Sequence, residues 1–162
     1  MNQINSETQP EYHTNPTSDD ALIQTCLKIL ESRIRKPETY IKNPEDTKNY
    51  LKLELSEKEH EVFAVLFLDS QHGVIAYEEM FQGTIDEASV YPREIIKKAL
   101  KFNAAALIIA HNHPSGNPES SDADITITNR IKDAANLLEI RLLDHIIVGG
   151  VDTISLAEQG YL

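Results

Sequence analysis

Two kinds of apolar pattern alternate along this chain, and together they predict its secondary structure. Short runs of mostly apolar residues predict strands, and apolar residues spaced three or four apart predict helices. The predicted strands cover residues 62–69, 74–81, 105–111, 140–148 and 153–155. The predicted helices cover residues 18–35, a segment beginning at Pro44, and residues 92–101 and 121–138. Strands with interspersed helices predict an α/β fold.

Three parts of the chain differ in pattern. Residues 1–17 are polar, contain two prolines and show no apolar period, so we expect them to form a disordered tail. Residues 18–60 predict a helical N-terminal segment, in which Ser18 caps one helix and Pro44 occupies the first turn of another. Residues 61–162 carry all the predicted strands and form the main domain.

Composition narrows the class of protein. The net charge of −11 argues against a protein that binds nucleic acid through a broad basic face. The predicted helix at 92–101 contains several basic residues, but together with Glu94 we expect them to form a solvated face. Cys26 is the only cysteine, which excludes a disulfide framework and predicts a small buried apolar residue. No apolar run approaches the ~20 residues of a membrane span, so we expect a cytoplasmic protein.

The candidate chemistry lies in the segment His111-Asn112-His113, followed after seven residues by Ser121 and then by Asp124. If the apolar strand before it continues through Asn112, its period of two places both imidazoles on one face. Pro114, Gly116 and Pro118 predict a loop, after which Asp124 falls in the first turn of a helix. Two imidazoles and a carboxylate can supply three ligands of a tetrahedral zinc site.

This spacing resembles the JAMM (JAB/MPN-type) metallopeptidase signature. The stretch "HNHPSGNPESSDAD", with "YPREIIKKAL" before it and "LLDHIIVGG" after it, resembles the RadC family from about Glu61 to Leu162. The resemblance implies a cytidine-deaminase-like α-β-α sandwich around a mixed sheet. It further implies one Zn²⁺ per chain, held by His111, His113 and Asp124, with water in the fourth position.

The same resemblance implies two catalytic residues. Ser121 would help to hold the oxyanion or the water, and Glu61 in "EVFAVLFLD" would be the general base. Ser120 departs from the family, because RadC relatives often have proline there. Longer RadC relatives also carry an N-terminal helix-hairpin-helix element, whose glycine-centred hairpin is not found in residues 1–60. The chain therefore resembles the short RadC forms of prophages and mobile elements.

Several of these residues have simpler explanations that the sequence leaves open. Ser121 and Asp124 also fit a capping box, which needs no metal. Glu61 could be a solvated carboxylate at the start of a strand. Asp144 and His145 predict a hydrogen-bonded pair at a strand kink. The letters HNH give little support to a nuclease of that name, whose residues are dispersed, and Asn112 is expected to face away from the two imidazoles.

The function predicted from these residues is zinc-dependent hydrolysis of an amide bond in a peptide or protein substrate. The alternative is a DNA repair or recombination factor that acts as a binding or scaffold module without peptidase activity. A metal-dependent nuclease or phosphodiesterase is a third class, but such enzymes usually need more carboxylates or a second metal. The sequence predicts neither the identity of the substrate nor the oligomeric state.

Overall fold

The structure is a computed structural model that describes residues 44–83 and 90–162, together with Ala21. The helices are α1 (Pro44–Leu55), α2 (Pro92–Phe102) and α3 (Asp122–Asn136). The strands are β1 (Val62–Leu68), β2 (Val74–Gln82), β3 (Ala106–Asn112), β4 (Arg141–Gly149) and β5 (Asp152–Ser155). The predicted tail, Cys26 and, apart from Ala21, the predicted helix at 18–35 lie outside the described residues.

The five strands form one mixed sheet in the order β2-β1-β3-β4-β5. Only β3 and β4 are parallel, and the other neighbouring pairs are antiparallel. Every residue of β1 and β3, two of the three interior strands, is buried, which explains their unbroken apolar runs. The edge strand β2 is only partly buried.

Strand parity divides the interior into two cores. Odd-numbered residues of β1 and β3 pack with α2 and α3 in one core, which contains Phe63, Leu107 and Ile131. Even-numbered residues of the same strands pack with Leu51 and Leu55 of α1 in the other core. The mixed sheet therefore lies between helices on both faces, and the expected α/β fold of JAB/MPN type is confirmed.

Within residues 44–83 and 90–162, the predicted elements agree with the structure except at their ends. The helix expected at 121–138 ends at Asn136, because a tight turn follows in which Glu139 has a positive φ of 58°. Ala105, expected in a strand, precedes β3, whereas Asn112 belongs to it. Within residues 44–83 and 90–162, no helix combines the length and apolar character needed to cross the membrane.

A close backbone contact fixes the loop that follows β3. The His113 N–H donates to the Val148 carbonyl oxygen at 2.8 Å, so the loop leaves β3 alongside the end of β4. A Cβ atom on Gly149 would lie 2.4 Å from the Pro118 nitrogen and 2.7 Å from the Asn117 carbonyl carbon. Glycine at position 149 therefore allows the loop to pass directly over the strand end.

We expect Gly149→Ala to lower the free energy of unfolding by about 1–3 kcal/mol, because the added methyl meets backbone atoms that must move. Urea unfolding of wild type and variant measures the change. Val151→Ala is the control, since Val151 is 76% exposed and its truncation should be nearly neutral. An unchanged unfolding midpoint for Gly149→Ala would show that the loop has room to shift.

Candidate metal centre

The C-terminal end of β3 and the residue after it place two imidazoles on the sheet face that packs against α3. His111 is completely buried, and its ring is nearly parallel to that of Phe63, with centroids 6.2 Å apart. His113 lies one residue beyond the end of β3, and its side chain is 20% exposed. The two Nε2 atoms are 2.9 Å apart. The expectation that both imidazoles lie on one face is therefore confirmed.

The first turn of α3 brings the carboxylate to these imidazoles. Ser121 is the N-cap, and its hydroxyl oxygen accepts the Asp124 N–H at 3.2 Å. The Ser121 N–H and hydroxyl both donate to Asp124 Oδ2, each at 2.7 Å. The capping box that the sequence left open is thus present, but it uses only one of the two carboxylate oxygens.

The second carboxylate oxygen is the feature that a capping box does not explain. Asp124 Oδ1 is buried, accepts no hydrogen bond, and lies 3.2 Å from His111 Nε2. One ligand atom from each of His111, His113 and Asp124 lies within 4.8 Å of the other two. A tetrahedral ion with N and O ligands at 2.0–2.1 Å would need them roughly 3.3 Å apart. The cluster therefore fits a metal site.

Burial and hydrogen bonding together set the charges in this cluster. It lowers the pKa of the His111 imidazole, and the neighbouring Asp124 carboxylate opposes this shift without reversing it. Burial alone would raise the pKa of the Asp124 carboxyl, but the two hydrogen bonds that Ser121 donates to its Oδ2 favour the ionised form, and this pKa lies well below its usual range. An ionised carboxylate beside a neutral imidazole is the combination that a divalent cation binds.

Asn112 lies on the opposite face of β3, as expected, and holds the start of β1. Its Oδ1 accepts the Val62 N–H at 2.7 Å, and its Nδ2 donates to the carbonyl oxygens of Lys58 and His60 at 3.2 and 3.0 Å. Phe63 pairs with His111 across the antiparallel strands β1 and β3. Glu61 precedes Phe63 by two residues, so the alternation of side chains places it on the same face as Phe63. Asn112 therefore fixes the segment that carries Glu61.

Glu61 is partly buried and lines a surface cavity of about 560 Å³. Pro114, in the loop that follows the paired imidazoles, lines the same cavity, as do Gln82 and Gly83 at the end of β2. A solvated carboxylate is the simpler explanation that the sequence left open. The Oε1 atom of Glu61 is shielded from solvent, so its surroundings differ from those of a freely solvated side chain.

Asp144 and His145 are hydrogen bonded at a register irregularity of the β3–β4 pair, as predicted, but their side chains act separately. Asp144 Oδ1 accepts the His145 backbone N–H at 2.7 Å, and its Oδ2 accepts the Ser155 hydroxyl at 2.7 Å. The His145 imidazole instead contacts His111, with Nε2 2.8 Å from His111 Nδ1.

The sequence did not predict that His145 and Thr128 adjoin the candidate ligands. Thr128 Oγ1 lies 2.6 Å from His145 Nδ1, on the side of the ring away from His111. A single signal pointed to this contact, namely a histidine inside the apolar run of β4. Burial lowers the pKa of His145 well below its usual range, so this imidazole is neutral at pH 7.

The buried imidazoles predict a dependence of stability on pH. His111 and His145 have lowered pKa values when folded, so between their folded pKa and about 6.5 the unfolded chain binds more protons. The contribution of these two groups to the free energy of unfolding is therefore fully present above about pH 7. On acidification it falls by up to about 1.4 kcal/mol per pH unit for each histidine. Urea unfolding of metal-free protein between pH 7.5 and 5 measures this slope.

His145→Gln should reduce the slope by the contribution of one group, whereas His60→Gln should leave it unchanged, because His60 is exposed. A free energy of unfolding that stays constant down to pH 5 would contradict the neutral, buried state of these rings.

Comparison with known proteins agrees with this geometry. A family model described as a RadC-like JAB domain matches residues 41–161. A UPF0758 protein of Vibrio cholerae is 53% identical over 141 residues, which cover 87% of this chain and 88% of that protein. A UPF0758 protein of Cellvibrio japonicus is 57% identical over 143 residues, which cover 86% of this chain and 64% of that protein.

A UPF0758 protein of Azotobacter vinelandii is 49% identical over 142 residues, which cover 88% of this chain and 63% of that protein. The chain thus spans less than two thirds of the length of the Cellvibrio and Azotobacter relatives. The family match includes the whole described sheet and the three candidate ligands. This chain belongs to the RadC family and carries its JAB-type domain.

Proposed function

We propose that this protein is a zinc-dependent hydrolase of the JAMM type that cleaves an amide bond. One observation carries the proposal: a buried carboxylate oxygen that accepts no hydrogen bond, Asp124 Oδ1, faces His111 Nε2 inside a cluster with His113. Membership of the RadC-like JAB family supports the same chemistry, since the resemblance to JAMM metallopeptidases implies amide hydrolysis.

The ligand set supports a catalytic site over a structural one. Structural zinc sites close with four protein ligands, whereas catalytic sites keep one position open. Among the residues that the structure describes, the metal-ligating cluster contains three side chains. The partial exposure of His113 leaves one side of the cluster accessible to solvent. A zinc ion bound by these ligands would act as a Lewis acid toward water and a carbonyl oxygen.

We assign the proton transfers to Glu61. A carboxylate that lines a cavity together with Pro114, the residue after His113, can accept a proton from the attacking water and pass it to the leaving nitrogen. The hydrogen bonds of Asn112 to the Glu61 segment would hold this base in place before the substrate arrives.

Ser121 has a positioning role in this proposal. Its hydroxyl proton is donated to Asp124 Oδ2, which orients the carboxylate and leaves Oδ1 toward the imidazoles. A second role for this hydroxyl, at the oxyanion, would require it to leave Asp124 during the reaction. Such a donor is typically worth about 3 kcal/mol to the transition state.

The cavity lined by Glu61 and Pro114 supports a peptide or protein substrate. It is about 560 Å³ in volume, is open to solvent, and adjoins the end of the edge strand β2. The alternative role in DNA repair without hydrolysis is not supported by the net charge of −11, because binding to the phosphate backbone depends on basic residues. We propose a cytoplasmic location, in keeping with a single cysteine in the whole chain.

We expect His113→Ala to lose bound zinc, because two ligands hold the ion far less tightly than three. Elemental analysis after dialysis should give about one zinc per chain in the wild type and almost none in the variant. His60→Ala, at an exposed histidine, is the matched control and should retain the metal. Equal zinc contents in wild type and His113→Ala would remove His113 from the ligand set.

We expect Glu61→Gln to keep its zinc but to lose at least about 100-fold in the rate of peptide cleavage, since the amide cannot accept the proton. The measurement is turnover of an unbiased peptide library by zinc-loaded protein. Glu57→Gln is the control, because Glu57 is an exposed carboxylate just before the same strand. Cleavage at the wild-type rate by Glu61→Gln would exclude Glu61 as the base.

A further inference from the structure

We propose that Thr128 and His145 form a hydrogen-bond relay that sets the tautomer of His111 and so turns its Nε2 lone pair toward the metal. The inference rests on the metal centre proposed above and concerns two residues that bind no metal themselves. The relay runs from the backbone of Asp124 through Thr128 and His145 to His111, and its members belong to α3, β4 and β3.

The direction of the relay is fixed at its backbone end. Thr128 Oγ1 lies 2.5 Å from the carbonyl oxygen of Asp124. A carbonyl oxygen can only accept, so the hydroxyl proton of Thr128 belongs to this bond. The hydroxyl oxygen must then accept in its second contact, at 2.6 Å from His145 Nδ1. His145 therefore carries its proton on Nδ1.

The same reasoning passes through the His145 ring to His111. A neutral imidazole with its proton on Nδ1 has a lone pair on Nε2. His145 Nε2 lies 2.8 Å from His111 Nδ1, so it accepts a hydrogen bond, and the donated N–H must be on His111 Nδ1. The remaining nitrogen, His111 Nε2, then presents its lone pair to His113 and Asp124. The opposite tautomer would place an N–H where the metal must bind.

Burial keeps the relay from exchanging its partners with water. His111 and His145 are 0% exposed and Thr128 is 1% exposed. The Phe63 ring packs against both imidazoles, with centroid distances of 6.2 and 5.7 Å. Because no solvent reaches these groups, the protonation pattern set at the Asp124 carbonyl holds along the whole relay.

His113 reaches the same tautomer by a separate route. Its Nδ1 lies 2.8 Å from the Asn117 carbonyl oxygen, which can only accept, so Nδ1 carries a proton and the Nε2 of the neutral ring has a lone pair. This contact is exposed and local to the loop, whereas the His111 relay crosses three elements of the fold. The two ligand histidines therefore depend on different parts of the molecule, and of these two Thr128 affects His111 and not His113.

Zinc affinity tests the relay with a matched set of threonine variants. Thr128→Val keeps the side-chain shape but removes the hydroxyl, and we expect zinc affinity to fall about 10- to 100-fold. Thr128→Ser restores the hydroxyl and should restore the affinity. Thr126→Val makes the same change at an exposed position of α3 and should have no effect. Competition with a chromophoric chelator measures all four proteins.

Nitrogen NMR of the imidazoles in metal-free protein gives a second readout that a general loss of stability would not produce. The wild type should show His111 protonated at Nδ1 and unprotonated at Nε2. Thr128→Val should show a mixture of both tautomers for His111 and His145, because nothing then fixes the proton on His145 Nδ1. His113 should be unchanged in the variant.

The outcomes separate this inference from the proposed function. Wild-type zinc binding with an unchanged affinity in Thr128→Val would overturn the relay and leave the metal centre standing. Wild type that binds no zinc would overturn the metal centre, while the tautomers of the metal-free protein would still decide the relay. A wild-type His111 protonated at Nε2 would overturn the relay even if the valine variant failed to fold.

Discussion

A carboxylate buried beside two imidazoles is the constraint on which the site depends. Removing an ionised carboxylate from water is costly unless its oxygens gain donors or a cation. Ser121 supplies two donors to one oxygen of Asp124, and the other oxygen has none. A protonated His111 could balance the charge, but burial lowers its pKa and opposes this. A divalent cation balances the charge and uses both imidazole lone pairs, which is why the cluster fits a metal site.

The fold serves this constraint through the alternation of one strand. In β3, His111 lies on the sheet face that packs against α3, whereas Asn112 lies on the face that packs against α1 and bonds the segment that precedes β1. The same strand end thus supplies a candidate ligand and fixes the backbone that carries the candidate base. Gly149 allows the loop that follows β3 to pass close over the end of β4, so that the Asn117 carbonyl oxygen reaches His113. Small backbone contacts around one strand end therefore control the geometry of the whole site.

The sequence predicted the parts of the site that depend on local spacing. His111 and His113 share a face because a strand alternates, and Asp124 lies at N3 of α3 because Ser121 caps it. Contacts between distant segments could not be predicted in this way. Thr128 and His145 meet across 17 residues, and a capping box gives no sign that it leaves one carboxylate oxygen without a donor. The end of α3 was also missed, because Leu137 and Leu138 continue the apolar pattern into an exposed turn.

The most direct test of the metal centre is a crystal structure of zinc-loaded protein with diffraction recorded on both sides of the zinc absorption edge. We predict one anomalous peak per chain, about 2.0–2.2 Å from His111 Nε2, His113 Nε2 and Asp124 Oδ1, with a single non-protein ligand in the fourth position. A zinc peak elsewhere, or a site that remains empty at saturating zinc while Asp124 Oδ1 still accepts no hydrogen bond, would contradict the account.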